Sequence, residues 1–167
     1  RFLGDLLEEA KPAHIAVAFD ESLSSSFRNE IFPAYKANRE PAPPELKRQF
    51  ALCRELCRLL GIAEFSSPTH EADDIIGTIA TRFRERGHSS VLVTRDKDLA
   101  QLIRDGDAYW DYAGERRYGY ADIEGQFGVK PERMADFLAL TGDTVDNIPG
   151  IPGIGPKTLL RLRDELG

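Results

Sequence analysis

Cysteine, histidine and long apolar runs are what this sequence has least of, and each shortage removes a class of explanation. Two cysteines in 167 residues leave no disulfide framework and fit a reducing cytoplasm. Cys53 and Cys57 lie four apart on a helical pattern shared with Leu46, Phe50 and Leu60, so they read as core packing residues. The three histidines, His14, His70 and His88, stand alone, with no marked serine or cysteine beside them. That removes Ser–His and Cys–His nucleophiles, and each histidine reads as a surface or helix-end residue. No apolar run approaches the roughly 20 residues of a membrane-spanning helix, and nothing has the form of a signal peptide. The expectation is a cytoplasmic, monomeric protein with no membrane partner.

What the sequence does hold is acid, kept in particular places. Residues 15–19 and 91–93 are short apolar runs that suit strands, the second rich in β-branched side chains and fit for a parallel sheet buried on both faces. Asp20 ends the first run, and Asp96 and Asp98 follow the second. Glu71, Asp73 and Asp74 open a helix over residues 71–86, where Ala72, Ile75, Ile76, Ile79, Ala80 and Phe83 recur at helical spacing before Gly87. Asp143 and Asp146 bracket a loop.

In open α/β sheets, ligands collect beyond the carboxyl ends of the strands. If these eight carboxylates converge there, they cannot all ionise without a compensating cation, and oxygen ligands suit two Mg²⁺ or Mn²⁺ ions. Bland accounts stay open beside this one. Acids at a helix N-terminus also favour the macrodipole by about 0.3 to 1 kcal/mol each, and Asp143 and Asp146 fit turn and cap roles. The net charge of −6 argues against nucleic acid only superficially. Neutralising the eight carboxylates turns it into +2, and residues 28–58 carry seven Lys or Arg against four Glu, a balance that can meet phosphates.

A helix is expected over residues 2–10. The polar stretch 21–44, with serines at 22, 24, 25 and 26 and REPAPPEL at its end, is long for a connection and reads as functional or mobile. Further helices are expected over 45–60, closed by Gly61, and over 99–104. A strand over 108–112 and a turn over 114–117 place Trp110, Tyr112, Tyr118 and Tyr120 on an edge hairpin, as packing residues rather than base-stacking ones. A helix over 131–140 runs into TGDTVDNIPGIPGIGPKTLLRL. There Gly150, Gly153 and Gly155 punctuate a tight connection, Pro156 suits a first helical turn, and Lys157 and Thr158 stand at its opening. Such a turn offers backbone N–H groups, a positive helix end and a lysine to one anion, and a nucleic-acid phosphate fits it.

That hairpin resembles the helix–hairpin–helix of the 5′-nuclease family, which includes flap endonucleases and the 5′→3′ exonuclease domain of bacterial DNA polymerase I. Four further segments match in the family's order: AVAFD ending at Asp20, FRNEIFPAYKANR over 27–39, HEADDIIGTIA over 70–80 and TRDKDLAQL from Thr94. The resemblance covers nearly the whole chain and is nearest to the bacterial members, stand-alone or polymerase-linked. It implies an α/β fold of the PIN-like kind over residues 1–130, with a central, mostly parallel sheet, helices on both faces and a helical arch at about 21–44. A helix–hairpin–helix subdomain would occupy 131–167.

By the same resemblance, Asp20, Glu71 and Asp73 would help hold one metal, and Asp96, Asp98, Asp143 and Asp146 the second, with Asp74 supporting. Lys36 and Arg39 would be the arch's basic residues at the scissile phosphate, and Arg28 an accessory phosphate contact. Gly153, Gly155, Lys157 and Thr158 would grip duplex backbone, where relatives also bind a monovalent cation such as K⁺. The implied activity is Mg²⁺- or Mn²⁺-dependent hydrolysis of DNA near 5′ ends or flap junctions, giving 5′-phosphates.

Three departures accompany the match. Family members carry a further metal-binding Asp on a strand that precedes Arg1, outside this sequence. Arg95 stands where bacterial relatives have Gly, and the serine stretch before Phe27 is about one residue longer than in relatives. Two rival readings remain: a non-catalytic DNA-structure-binding protein of the same fold, and a Mg²⁺-dependent phosphatase built on Asp96 and Asp98, which leaves the glycine hairpin unexplained.

Overall fold

Parallel pairing of short strands determines where this chain sets down its carboxylates. The computed structural model describes residues 1–21 and 26–166, so Ser22, Ser24 and Ser25, with the longer serine stretch, lie outside the described residues. After α1 (Phe2–Ala10), strand β1 (Ala16–Asp20) runs parallel to β2 (Ala63–Ser67), in a register from Ala16 beside Ala63 to Asp20 beside Ser67. Parallel neighbours need a crossover, here supplied by α2 (Phe27–Ile31) and α3 (Pro44–Leu59). Helix α4 (Ala72–Arg84) packs on both strands. Then β3 (Val91–Val93) runs parallel to β4 (Ala108–Asp111), which turns back as an antiparallel hairpin into β5 (Arg116–Gly119). Helices α5 (Tyr120–Phe127), α6 (Met134–Thr141) and α7 (Pro156–Leu166) complete the chain.

The α/β class, the mostly parallel pairing and the C-terminal helical hairpin agree with the sequence reading. Among the described residues that pairing is divided between two groups of hydrogen-bonded strands, β1–β2 and β3–β4–β5. Helix α4 is the wall they share, packing on β1, on β2 and on a 3₁₀ turn, Lys97–Leu102, that follows β3. That six-residue turn stands where a helix over 99–104 was expected. Asp96 caps it by accepting the Asp98 N–H at 2.9 Å, and the short path back to β4 leaves no length for a longer helix.

Burial corrects two further expectations. Strand β3 is not covered on both faces: Leu92 is buried, while Val91 and Val93 are 45% and 37% exposed. With alternate side chains on opposite faces, a three-residue strand turns one residue inward and two outward. On α3, Cys57 is fully buried, but Cys53 is exposed, as are Leu46 and Phe50. This helix rests chiefly on β2, and a two-stranded sheet is too narrow to cover its apolar stripe. Both cysteines are free, and all three histidines are exposed.

The core lies beneath the second sheet, where Leu92, Ala100, Ile103, Tyr109, Ile123, Val129 and Met134 pack with Ala80 of α4. The hairpin aromatics pack as expected: Trp110 is buried, with Tyr112 edge-on at 5.1 Å, and Tyr118 lies against the core. Asp107, 5% exposed, ties this half together by accepting from Arg84 Nη2 at 2.5 Å and from the N–H groups of Ser90 and Arg104 at 2.8 and 3.1 Å.

Helix α6 ends at Gly142, whose φ of +74° is open to glycine and few others. Asp143 and Ile148 then exchange backbone hydrogen bonds of 2.9 and 2.8 Å, closing a tight loop that carries Asp143 and Asp146. Gly150 returns against the end of α6 so closely that a Cβ there would stand 2.3 Å from the Thr141 carbonyl carbon and 2.5 Å from the Gly142 nitrogen. Gly150→Ala is therefore expected to cost about 1 to 3 kcal/mol of stability. At Gly155 a Cβ meets nothing within 4 Å, and Gly155→Ala should change stability by less than about 0.5 kcal/mol. Urea denaturation of both variants checks the contrast; equal midpoints would remove the close-approach argument.

Candidate functional site

The carboxylates arrive from separate elements, and the backbone aims each one. Asp20, the last residue of β1, accepts the Ala72 N–H at 2.6 Å, which ties the end of that strand to the first turn of α4. Glu71, at the N-cap of α4, is buried. Asp74 folds back: it accepts the Glu71 N–H at 3.0 Å and takes both Arg28 guanidinium nitrogens, at 2.6 and 2.7 Å. Its carboxyl is held below the usual range, first by that Arg28 pair and also by the Glu71 N–H. Asp74 thus completes a capping box at the start of α4, and Arg28 is its partner, lying also over the Phe27 ring at 4.8 Å.

Asp73, one position earlier, has different surroundings. Burial, then the charges of Asp96, Asp20 and Glu71, push its carboxyl up to about 6, with Lys36 opposing. The ends of β1 and β3 and the start of α4 thus meet at Asp73. Beyond it, burial raises the Asp98 carboxyl, with Asp96 and Asp143 adding to the effect against Lys97. Asp143 comes from the loop after α6, where its Oδ1 accepts the N–H groups of Val145 and Asp146 at 2.8 and 3.3 Å.

Basic side chains reach into this cluster. Lys36 Nζ stands 2.5 Å from Glu71 Oε2 and 3.9 Å from Asp146 Oδ2, with only 8% of the Lys36 side chain exposed. Burial pulls this ammonium down, but Glu71 and Tyr35 more than offset it, so it stays firmly protonated. Arg39 Nη2 pairs with Asp146 Oδ1 at 2.5 Å. Lys97 Nζ lies between Asp98 and Asp143, 2.8 and 2.7 Å away.

Two features escaped the sequence. Tyr35, 7% exposed, donates its hydroxyl to Glu71 at 3.2 Å or Asp146 at 3.3 Å, and burial above all pushes its pKa up to about 12. Its place between Ala34 and Lys36 carries no periodicity, so no local signal marks it as buried. Residues 34–39 are also docked rather than free: Lys36 N–H bonds Asp146 O at 2.9 Å, Asn147 Nδ2 bonds Ala34 O at 2.7 Å and Asn38 Nδ2 bonds Thr144 O at 3.1 Å. Lys36 holds a left-handed φ of 55° to do this.

Among the described residues, no group of three or more carboxylate, histidine or cysteine side chains is disposed to hold a metal ion as it stands. The cause is visible in the contacts, since Lys36, Arg39, Lys97 and Arg28 each engage carboxylates that would have to turn inward together. The donor chemistry does fit a hard divalent cation: it is all oxygen, crowded, and already arranged around positive charge. The hairpin residues form a separate feature. Gly153 has a φ of +82°, Pro156 opens α7, and Lys157 is exposed. No hydrogen bond or ion pair joins Gly153, Gly155, Lys157 or Thr158 to the carboxylates among the described residues.

The crowding at Asp73 has a measurable sign. A carboxyl raised from its ordinary value to about 6 weakens the fold as pH climbs through that interval, because ionisation is harder in the folded chain. Asp73→Asn is expected to be the more stable form at pH 7.5 in EDTA, by on the order of 1 kcal/mol once solvent screening is discounted, and to lose that advantage near pH 3.5. Denaturation at the two pH values checks this; the same difference at both would contradict it.

Comparison with known proteins bears on the whole chain. Residues 1–128 match the model of the 5'-3' exonuclease N-terminal resolvase-like domain, and residues 129–167 match that of the 5'-3' exonuclease C-terminal SAM fold. DNA polymerase I of Rhizobium leguminosarum is 44% identical over 93% of this chain, which spans 15% of that polymerase. The flap endonuclease Xni of Vibrio atlanticus is 39% identical over 94% of this chain, which spans 62% of it. A solved bacteriophage T5 flap endonuclease, in a pseudo-enzyme-product complex with DNA and metal ions, superposes with a TM-score of 0.84 at 26% identity. That match covers 99% of this chain and 65% of the phage protein. With both halves matched in order, over a carboxylate cluster assembled from the same segments that carry the sequence resemblance, the chain belongs to the 5'-3' exonuclease family.

Proposed function

We propose that this chain hydrolyses DNA phosphodiesters near 5′ ends or flap junctions with the help of divalent metal ions, Mg²⁺ or Mn²⁺. The observation that carries the reading is the meeting of Asp20, Asp73, Asp96 and Glu71 from three separate elements, with Asp98 and Asp143 continuing the cluster and Lys36 at its edge. Asp20, Glu71 and Asp73 would hold one ion, and Asp96, Asp98, Asp143 and Asp146 the other. When bound, the ions supply positive charge that polarises the phosphodiester and makes water acidic enough to attack near neutral pH. The water oxygen bonds to phosphorus, the bond to the 3′ oxygen breaks, and the proton ends on that oxygen, leaving a 3′-hydroxyl and a 5′-phosphate.

The chain's own cations do the rest. Lys36 and Arg39 stand beside the carboxylates with charges that non-bridging phosphate oxygens can share as negative charge develops. Asp74, engaged by Arg28, acts through position: it braces the first turn of α4, from which Glu71 and Asp73 project. The α7 opening, with Pro156, Lys157 and the open side of Gly155, offers a contact to duplex backbone away from the reacting phosphate. A monovalent ion such as K⁺ would belong to that hairpin. Recognition by phosphate contacts implies selection by substrate shape rather than by sequence.

The decisive assay is cleavage of a 5′-flap duplex labelled at its 3′ end, with Mg²⁺, Mn²⁺ or EDTA. Metal-dependent cutting near the junction is expected. Asp96→Asn should slow it at least about 100-fold while changing flap affinity by less than roughly threefold. Retained flap binding without cutting in any metal would move the assignment to a non-catalytic DNA binder, and unimpaired cutting by the Asn variant would remove Asp96 from the chemistry.

A further inference from the structure

Lys97 stands inside the carboxylate cluster without a part in the mechanism above. Its ammonium lies 2.8 Å from Asp98 Oδ1 and 2.7 Å from Asp143 Oδ2. Asp98 belongs to the 3₁₀ turn after β3, and Asp143 to the loop after α6, 46 residues beyond Lys97. Among the described residues, the Lys97–Asp143 contact is the only hydrogen bond or ion pair between that turn and the loop of residues 142–150. One lysine tip therefore carries the polar link between two segments that share a site.

The two ends of this side chain differ in setting. The Asp143 side chain is 11% exposed and Asp98 is 26% exposed, whereas the Lys97 side chain is 53% exposed. One of its acceptors is fixed by the backbone: Asp143 Oδ1 is taken by the Val145 and Asp146 N–H groups, leaving Oδ2 to the ammonium. The lysine stem is flexible and largely in water, so the ammonium can leave without disturbing packing. An ammonium and a divalent ion compete for the same lone pairs, and the divalent ion brings twice the charge to a shorter distance.

We propose that Lys97 is a tethered cation that holds Asp98 and Asp143 at one point, and that a divalent ion entering between those carboxylates displaces its ammonium into solvent. Lys97 is thus a positioning residue. It keeps the second pair of candidate ligands assembled and sets a threshold for the ion that replaces it. The displacement step rests on the metal reading given under the proposed function; the assembly of the two segments does not.

The test uses the whole chain, Lys97→Met, which keeps the stem and removes the charge, and Lys97→Arg, which keeps the charge. Mn²⁺ binding is followed by the paramagnetic signal of the free ion, and amide exchange of residues 143–148 is followed in EDTA. Lys97→Met is expected to bind Mn²⁺ roughly tenfold more tightly, because the competing charge is gone. In EDTA its 143–148 amides should exchange faster than in the parent chain. Lys97→Arg should stay near the parent in both respects. A residue that only props the loop would weaken metal binding when truncated, so tighter binding separates the two roles. Mn²⁺ affinity of Lys97→Met within twofold of the parent, or weaker, overturns the proposal while leaving the metal reading intact. No Mn²⁺ uptake by the parent chain itself at millimolar concentration would overturn the metal reading, and the displacement with it.

Discussion

Carboxylates gathered in a half-buried setting repel one another, by roughly 4 kcal/mol for two unit charges 4 Å apart at an effective dielectric near 20. The polar architecture of this chain is arranged around that repulsion. Asp73 shows it openly, in a carboxyl pushed up to about 6 by burial and by Asp96, Asp20 and Glu71. Elsewhere basic side chains absorb it: Lys36 on Glu71, Arg39 on Asp146, Lys97 on Asp98 and Asp143, and Arg28 on Asp74. Partly buried pairs of this kind are weak sources of net stability, because desolvation offsets most of the attraction. Their effect is positional, since each fixes where a carboxylate can point.

Position comes in turn from the backbone. Asp20 can reach Ala72 because β1 ends level with β2, and α4 starts just beyond the end of β2. Asp143 and Asp146 are offered by a loop closed on itself through Asp143 and Ile148, and that loop exists because Gly142 and Gly150 let two backbone stretches approach at distances a Cβ would forbid. The glycines of this region thus divide their work. Gly150 is needed by packing, Gly153 by its left-handed φ, and Gly155 by neither, since the space beside it is open.

The parts legible in the sequence were those with strong local causes. Helix α4 has a clean period and acids in its first turn; β3 is an apolar run with a β-branched valine at each end; α7 opens on Pro156 after a glycine turn. Family resemblance then gathered the carboxylates that periodicity alone could only place one by one. What escaped lacked such causes. Strand β2, AEFSS, has one large apolar side chain, and it is 44% exposed. Helix α2 is five residues long and hangs on a Ser26 cap at 3.3 Å. The division of the pairing between two groups of strands, the outward valines of β3 and the exposed Cys53 all depend on which neighbour is present, and that is a tertiary fact. Asp73 and Asp74 make the same point at the site. Adjacent and chemically alike, they turn to opposite tasks because Arg28, 46 residues away, meets only one of them.

The docked segment of residues 34–39 separates two kinds of contact. The segment is held by uncharged bonds: Lys36 N–H to Asp146 O, the Asn147 side chain to Ala34 O, and its own Asn38 side chain to Thr144 O. Its charged tips, Lys36 and Arg39, are held by ion pairs to Glu71 and Asp146. Uncharged bonds are insensitive to what enters the carboxylate cluster, whereas an ammonium follows the nearest negative charge. The two can therefore be uncoupled. A phosphate or a metal ion can redraw the partners of Lys36 and Arg39 by side-chain rotation alone, while the segment stays where its backbone puts it. Under the proposed function, Lys36 and Arg39 would therefore have only to exchange carboxylate partners for phosphate oxygens, without movement of their backbone.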